Sequence, residues 1–277
     1  VARAGLFVAL TFTFSTPFYV YLFLKPAAWS PLQSHLLMWM PALAAVVTSL
    51  VTHRPLRALG FRLGSPRHYL ACYDVPLLFC GVTYAFTWAS GFGAFDTARL
   101  MPFETRIGLP HSPLTPFLVG AALLILSPLS MINTLGEELG WSGLLTPELA
   151  ARTTFAKASL IRGAIWSAWH YPLVIVLLPR FRPGLPVAYA LACMTVAVTA
   201  ISFVYTWLRI DSGSVWPAAL LHAVSSNLQD FFEALTRDTG RTHFITYEYG
   251  AGFAVVLTAV ALAMWRRVTA SPSTASP

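Results

Sequence analysis

Charge is scarce in this chain. Asp, Glu, Lys and Arg make up 10% of its 277 residues, whereas soluble domains average about 25%, and that shortfall excludes an ordinary water-soluble fold. Cysteine is scarce as well. Cys72, Cys80 and Cys193 are an odd set at unpatterned spacing, which excludes a disulfide framework and a zinc knuckle. There is no internal repeat, no His-Glu-x-x-His turn and no polar stretch long enough for a soluble domain. Acids are the rarer charge, eleven against eighteen basic residues, so an acid inside an apolar run needs a reason.

What the chain has instead is apolar length. Hydrophobic residues are 56% of it and its mean hydropathy is +0.64. The apolar runs repeatedly reach the roughly 20 residues that cross a bilayer core. Eight spans are expected, at 4–24, 32–52, 69–92, 114–135, 158–178, 186–208, 214–235 and 247–265. The first is read as a span because no small-residue cleavage site follows it. The fold class is therefore all-α: a polytopic membrane helical bundle of about eight transmembrane helices, with residues 1–267 one transmembrane domain and 268–277 a disordered tail. The stretch 93–113, with Asp96, Arg99, Glu104 and Arg106, reads as an interfacial loop.

A net charge of +7 raises the question of nucleic acid, and its distribution answers no. Placing both termini in the cytoplasm puts eleven basic residues inside, among them Arg54, Arg57, Arg62, Arg67, Arg152, Arg162 and Arg209, against seven outside. That bias obeys the positive-inside rule. The expected partner is the bilayer of the cytoplasmic membrane, and no nucleic acid.

Three segments carry chemistry. Glu137 and Glu138 close an apolar run in Asn-Thr-Leu-Gly-Glu-Glu-Leu-Gly-Trp, where one carboxylate at the bilayer centre costs about 2.5–3.5 kcal/mol. Consecutive helical residues point about 100° apart, so the two serve different purposes. The plain alternative is an interfacial pair, with Gly140 and Gly143 marking the membrane boundary. His170 lies in Trp-Ser-Ala-Trp-His-Tyr-Pro, with Trp166 one turn before it on the same face and Pro172 close by. His222 lies in a helix started by Pro217, with Ser226 one turn on and Asn227 roughly 140° round the axis. Ser226 is the better placed partner for His222; Asn227 needs a kink or a π-type widening to join. A lone membrane histidine also serves as a simple interhelical hydrogen-bonding residue. Asp230 and Glu233 further along read as interfacial.

In order and spacing these segments resemble the CPBP family of intramembrane proteases, the CAAX protease and bacteriocin-processing (Abi) family, whose motifs are Glu-Glu-x-x-x-Arg, Phe-x-x-x-His and His-x-x-x-Asn/Asp. Here they read Glu137-Glu138-Leu-Gly-Trp-Ser142, Trp166-Ser-Ala-Trp-His170 and His222-Ala-Val-Ser-Ser226-Asn227. The resemblance covers roughly 114–235. It implies a hydrolase, an intramembrane endopeptidase acting on a peptide or lipidated peptide. Glu137 would be the base for water, Glu138 an orienting group, and His170 the residue that positions the water. His222 with Ser226 or Asn227 would bind water, metal or oxyanion. A metalloendopeptidase with zinc held by Glu137, His170 and His222 and a metal-free water mechanism both remain open. Ser142 stands where the family has arginine, so activity requires an arginine from elsewhere, such as Arg152 or Arg162, to reach Glu138. Without it, the chain reads as an inactive scaffold or immunity relative. A transporter is a further class, but its inverted repeats are absent from the sequence; a haem protein ligated by His170 and His222 is another, and it predicts visible colour on purification.

Overall fold

A computed structural model describes residues 2–100 and 112–270. They form α1 (Ala2–Leu24), a bent pair α2 (Pro31–Met38) and α3 (Met40–Val51), α4 (Pro66–Ala89), α5 (Thr115–Glu138), a short α6 (Thr146–Ala150), α7 (Phe155–Phe181), α8 (Val187–Ser212), α9 (Trp216–Ala234) and α10 (Ala251–Ala270). Seven helical stretches among the described residues are long and apolar enough to cross a membrane. The chain is thus an integral, multi-pass helical membrane protein. The expected loop residues 101–111 and the tail from 271 lie outside the described residues, and the first three residues assigned to that tail continue α10.

The expected span at 214–235 is present as α9, of 19 residues, but it is not among the seven. It carries His222, Ser225, Ser226, Asn227, Gln229, Asp230 and Glu233 and packs between α4, α5 and α8. Protein rather than lipid surrounds it, which is how a membrane bundle accommodates polar side chains. Lipid is left to apolar faces such as Phe117, Ile125, Leu129 and Ile132 of α5, all well exposed.

The fourth span does not stop at 135. The helix runs through both glutamates and continues as a π-helical segment, Leu139–Leu145, into α6. Gly140 and Gly143 therefore mark no membrane boundary; they are buried. Gly136 and Gly140 lie one turn apart, and a Cβ on Gly140 would come within 2.6 Å of Pro41. The bend between α2 and α3 thus docks directly on the helix that carries the glutamates, a small-x-x-x-small contact.

The all-α reading also missed a two-stranded antiparallel ribbon, β1 (Gly93–Phe95) and β2 (Thr236–Asp238), pairing Gly93 with Asp238. Three-residue strands leave no periodicity for a sequence to display.

At the centre, α7 and α8 pack over most of their length, and Gly163 permits it. A Cβ there would sit 2.4 Å from Thr199 Cα. Gly163→Val is expected to prevent the two helices from closing, so the purified protein should lose its monodisperse detergent elution peak and its cooperative melting transition.

Candidate active site

The carboxylates face inward from the end of α5. Glu138 is fully buried and Glu137 is 2% exposed. As their angular separation requires, they have different neighbours. Both indoles that reach Glu137 bond the same oxygen, Oε2: Trp166 Nε1 at 2.7 Å and Trp141 Nε1 at 3.3 Å. Glu138 is a hub. Its Oε2 accepts from Ser142 Oγ at 2.5 Å and Arg162 Nη2 at 3.1 Å, and its Oε1 faces His222 Nδ1 at 3.2 Å.

Arg162 is the arginine that the missing motif position calls for. It comes from α7, one helix away from Ser142, and is fully buried. Besides Glu138 it donates to Ser202 Oγ of α8 at 2.9 Å. Its guanidinium lies between two aromatic rings, 4.7 Å from Trp166 and 4.4 Å from Tyr205. A buried charge pair survives desolvation only when further contacts satisfy it; these satisfy both terminal nitrogens, while Nε has no hydrogen-bond partner. Arg152, the other candidate, pairs with Glu148 at 2.8 Å. Arg162 and Arg209 were counted among the charges that set topology. Both also have structural contacts: Arg209 is nearly buried and donates to the Ser142 carbonyl at 2.9 Å, tying down the π segment.

The histidines are oriented by their Nδ1 atoms. His222 Nδ1 faces an acceptor-only carboxylate, so it carries the proton there. His170 Nδ1 lies 3.1 Å from the Trp166 carbonyl, which also only accepts. In each case Nε2 is the nitrogen left for chemistry. Trp166 stands edge-to-face with both rings, at 5.9 Å from His170 and 5.4 Å from His222. The carbonyl next to the Pro172 gap, on Trp169, accepts from Tyr19 at 2.7 Å.

A cavity of about 80 Å³ lies against Trp166, His170, Tyr205, His222 and Ser226, room for several waters. Ser226 is at its wall. Asn227 is elsewhere: its amide donates to Ser127 and Ser130 of α5 at 3.0 and 3.3 Å. The π widening that would have let Asn227 join lies in the 139–145 segment, and α9 is a regular helix. Asp230 accepts from Tyr247 at 2.9 Å, and Glu233 pairs with Arg182 at 2.8 Å.

The zinc set does not assemble in this arrangement. Both imidazoles present an Nε2 supported from Nδ1, as metal ligands do. Among the described residues, however, no group of three or more His, Cys, Asp or Glu side chains is disposed to hold a metal ion.

Sequence reasoning missed Tyr205, Ser202 and the cavity residues Gln229 and Glu248. Ser202 and Tyr205 are three apart on α8, hence on one helical face, and that spacing was the available signal.

The fold and this centre define a polytopic membrane protein whose interior holds two carboxylates, a guanidinium and two oriented imidazoles. Residues 116–228 match the family described as Type II CAAX prenyl endopeptidase Rce1-like. A protein named CAAX prenyl protease 2 from Methanococcus maripaludis is 29% identical over 107 residues, which are 37% of this chain and 38% of that protein. The alignment thus spans well under half of the relative's length. Together the two matches support assignment of this chain to the CPBP/CAAX protease family, in agreement with the motif resemblance.

Proposed function

We propose that this protein is an intramembrane endopeptidase that hydrolyses a peptide bond with activated water. Glu137 takes a proton from the water through Oε1, the oxygen free of the indole bonds. His170 Nε2 aligns the water lone pair toward the scissile carbonyl carbon. As the C–O bond forms, the carbonyl oxygen becomes an oxyanion, received by protonated His222 Nε2 and by Ser226 Oγ. Collapse breaks the C–N bond, and the proton held by Glu137 passes to the departing amine. Glu138 acts as a positioning residue, holding His222 by Nδ1.

The observation that carries this reading is the Arg162–Glu138–His222 chain. It supplies, from a neighbouring helix, the guanidinium that Ser142 cannot. In support of the substrate class, the relative is named a CAAX prenyl protease, so prenylated C-terminal peptides are the first to test. Bacteriocin-type leader peptides follow. Placement in the cytoplasmic membrane with both termini inside, as the basic-residue bias suggests, would admit cytoplasmic peptides.

The two oxyanion candidates separate in one experiment. Ser226→Ala is expected to lower kcat by about 10²–10³-fold, as loss of one oxyanion donor does. Asn227→Ala, whose side chain faces α5, should change kcat far less. Steady-state cleavage in proteoliposomes reads both; the reverse order would remove Ser226 from the mechanism.

A further inference from the structure

The cavity extends beyond the residues that the hydrolysis uses. Along α9, His222, Ser225, Ser226 and Gln229 follow the i, i+3, i+4, i+7 pattern of one helical face, and all four line the cavity. Two of them are unsatisfied within the protein. Ser225 Oγ and Gln229 Oε1 are buried with no hydrogen-bond partner, and their side chains are only 7% and 9% exposed. An orphaned buried polar atom costs about 1–3 kcal/mol, so a cavity that keeps two of them is built for something polar.

Glu248 completes this end. It reaches the cavity from the connection before α10, and that connection is unusual. Tyr247 has φ of 65°, a left-handed conformation uncommon for a bulky residue and typical of places where strain serves a site. Gly250 and Gly252 let the chain fold back on Ile245, since a Cβ on either would lie 2.4–2.6 Å from Ile245 backbone atoms. The neighbouring cation does not neutralise Glu248. Arg182 stacks on Tyr247 at 4.9 Å but directs its ion pair to Glu233, and among the described residues Glu248 has no salt bridge.

We infer that Glu248, with Gln229 and Ser225, forms a specificity subsite for a cationic side chain of the peptide substrate, lysine or arginine. The inference rests on the endopeptidase reading for the word substrate. The chemistry of the subsite stands on its own: one carboxylate beside two atoms that lack partners calls for a ligand with several N–H donors. The helix also gives a distance. Gln229 lies seven residues beyond His222, about 10 Å along the axis at 1.5 Å per residue. That is about three residues of extended peptide, so the cationic residue is expected about three positions from the scissile bond.

The test uses full-length protein in proteoliposomes and two sets of prenylated decapeptides. In one set a single lysine is moved through every position; in the other its uncharged isostere, norleucine, takes its place. Both kcat/KM and equilibrium binding are read for wild type, Glu248→Gln and Glu248→Lys. Wild type should prefer lysine about three positions from the cut by about tenfold or more, as expected for a desolvated charge pair. Glu248→Gln should abolish the preference, and Glu248→Lys should transfer it to glutamate at the same position. Loss of structure cannot invert a charge preference, so that reversal is diagnostic. Equal treatment of lysine and norleucine by wild type, or a lysine preference that survives in Glu248→Gln, would overturn the subsite. If no peptide is cut but the Glu248-dependent preference appears in binding, the subsite stands and the endopeptidase reading fails.

Discussion

Arg162→Ala is expected to destabilise the protein by about 3–5 kcal/mol, the cost of leaving one partner of a buried ion pair uncompensated, and to lower peptide cleavage strongly. The substitution orphans Glu138 in a fully buried position. It also removes the cation held between Trp166 and Tyr205, at 4.7 and 4.4 Å, and frees Ser202. Through Glu138 the loss reaches His222, whose Nδ1 partner is then no longer fixed. Arg162→Lys separates charge from geometry: an ammonium keeps the charge but cannot span Glu138 and Ser202 or stack as a plane. It should recover part of the stability and little of the rate. Thermal unfolding in detergent and cleavage in liposomes check both. An Arg162→Ala protein as stable and active as wild type would mean that the Ser142 position needs no replacement arginine.

Glu137→Gln is expected to lower kcat by about 10²–10⁴-fold, the typical contribution of a positioned general base, with little loss of fold. The amide oxygen of glutamine can still accept from Trp141 and Trp166, whose indoles bond Glu137 Oε2; what it cannot do is take a proton from water. The matching change at Glu138 should behave differently. Glu138→Gln leaves Arg162 buried without its counter-charge, so stability should fall together with activity. Comparing kcat with melting temperature for the two variants separates a base from a positioning residue. If the pair behaves alike, the assignment of roles fails.

Much of this was legible in the sequence because the membrane penalises polarity. In a chain with so few charges, Glu137, Glu138, His170 and His222 stood out against apolar runs, and their order carried the family resemblance. The helical angle between Ser226 and Asn227 was enough to prefer Ser226 for the cavity side, since α9 is regular there. What the sequence hid depends on which helices become neighbours. Arg162 looked like a charge near the start of a span, and only the close approach of α7 to α8 at Gly163 brings it to Ser202 and Glu138. Gly140 and Gly143 looked like a boundary because their close packing, on Pro41 and Leu59, comes from distant segments. Glu248 lies in a connection without periodicity, and its direction depends on the backbone at Tyr247.

The most direct test of the account is cleavage by the wild-type protein in proteoliposomes, over a mixed library of prenylated and unmodified peptides, read by mass spectrometry. New peptide termini at defined sites are expected, formed by wild type and not by Glu137→Gln. Cleavage that persists in Glu137→Gln would contradict the water-activating glutamate. An absence of cleavage by wild-type protein that melts cooperatively would contradict the protease itself and favour an inactive, binding relative.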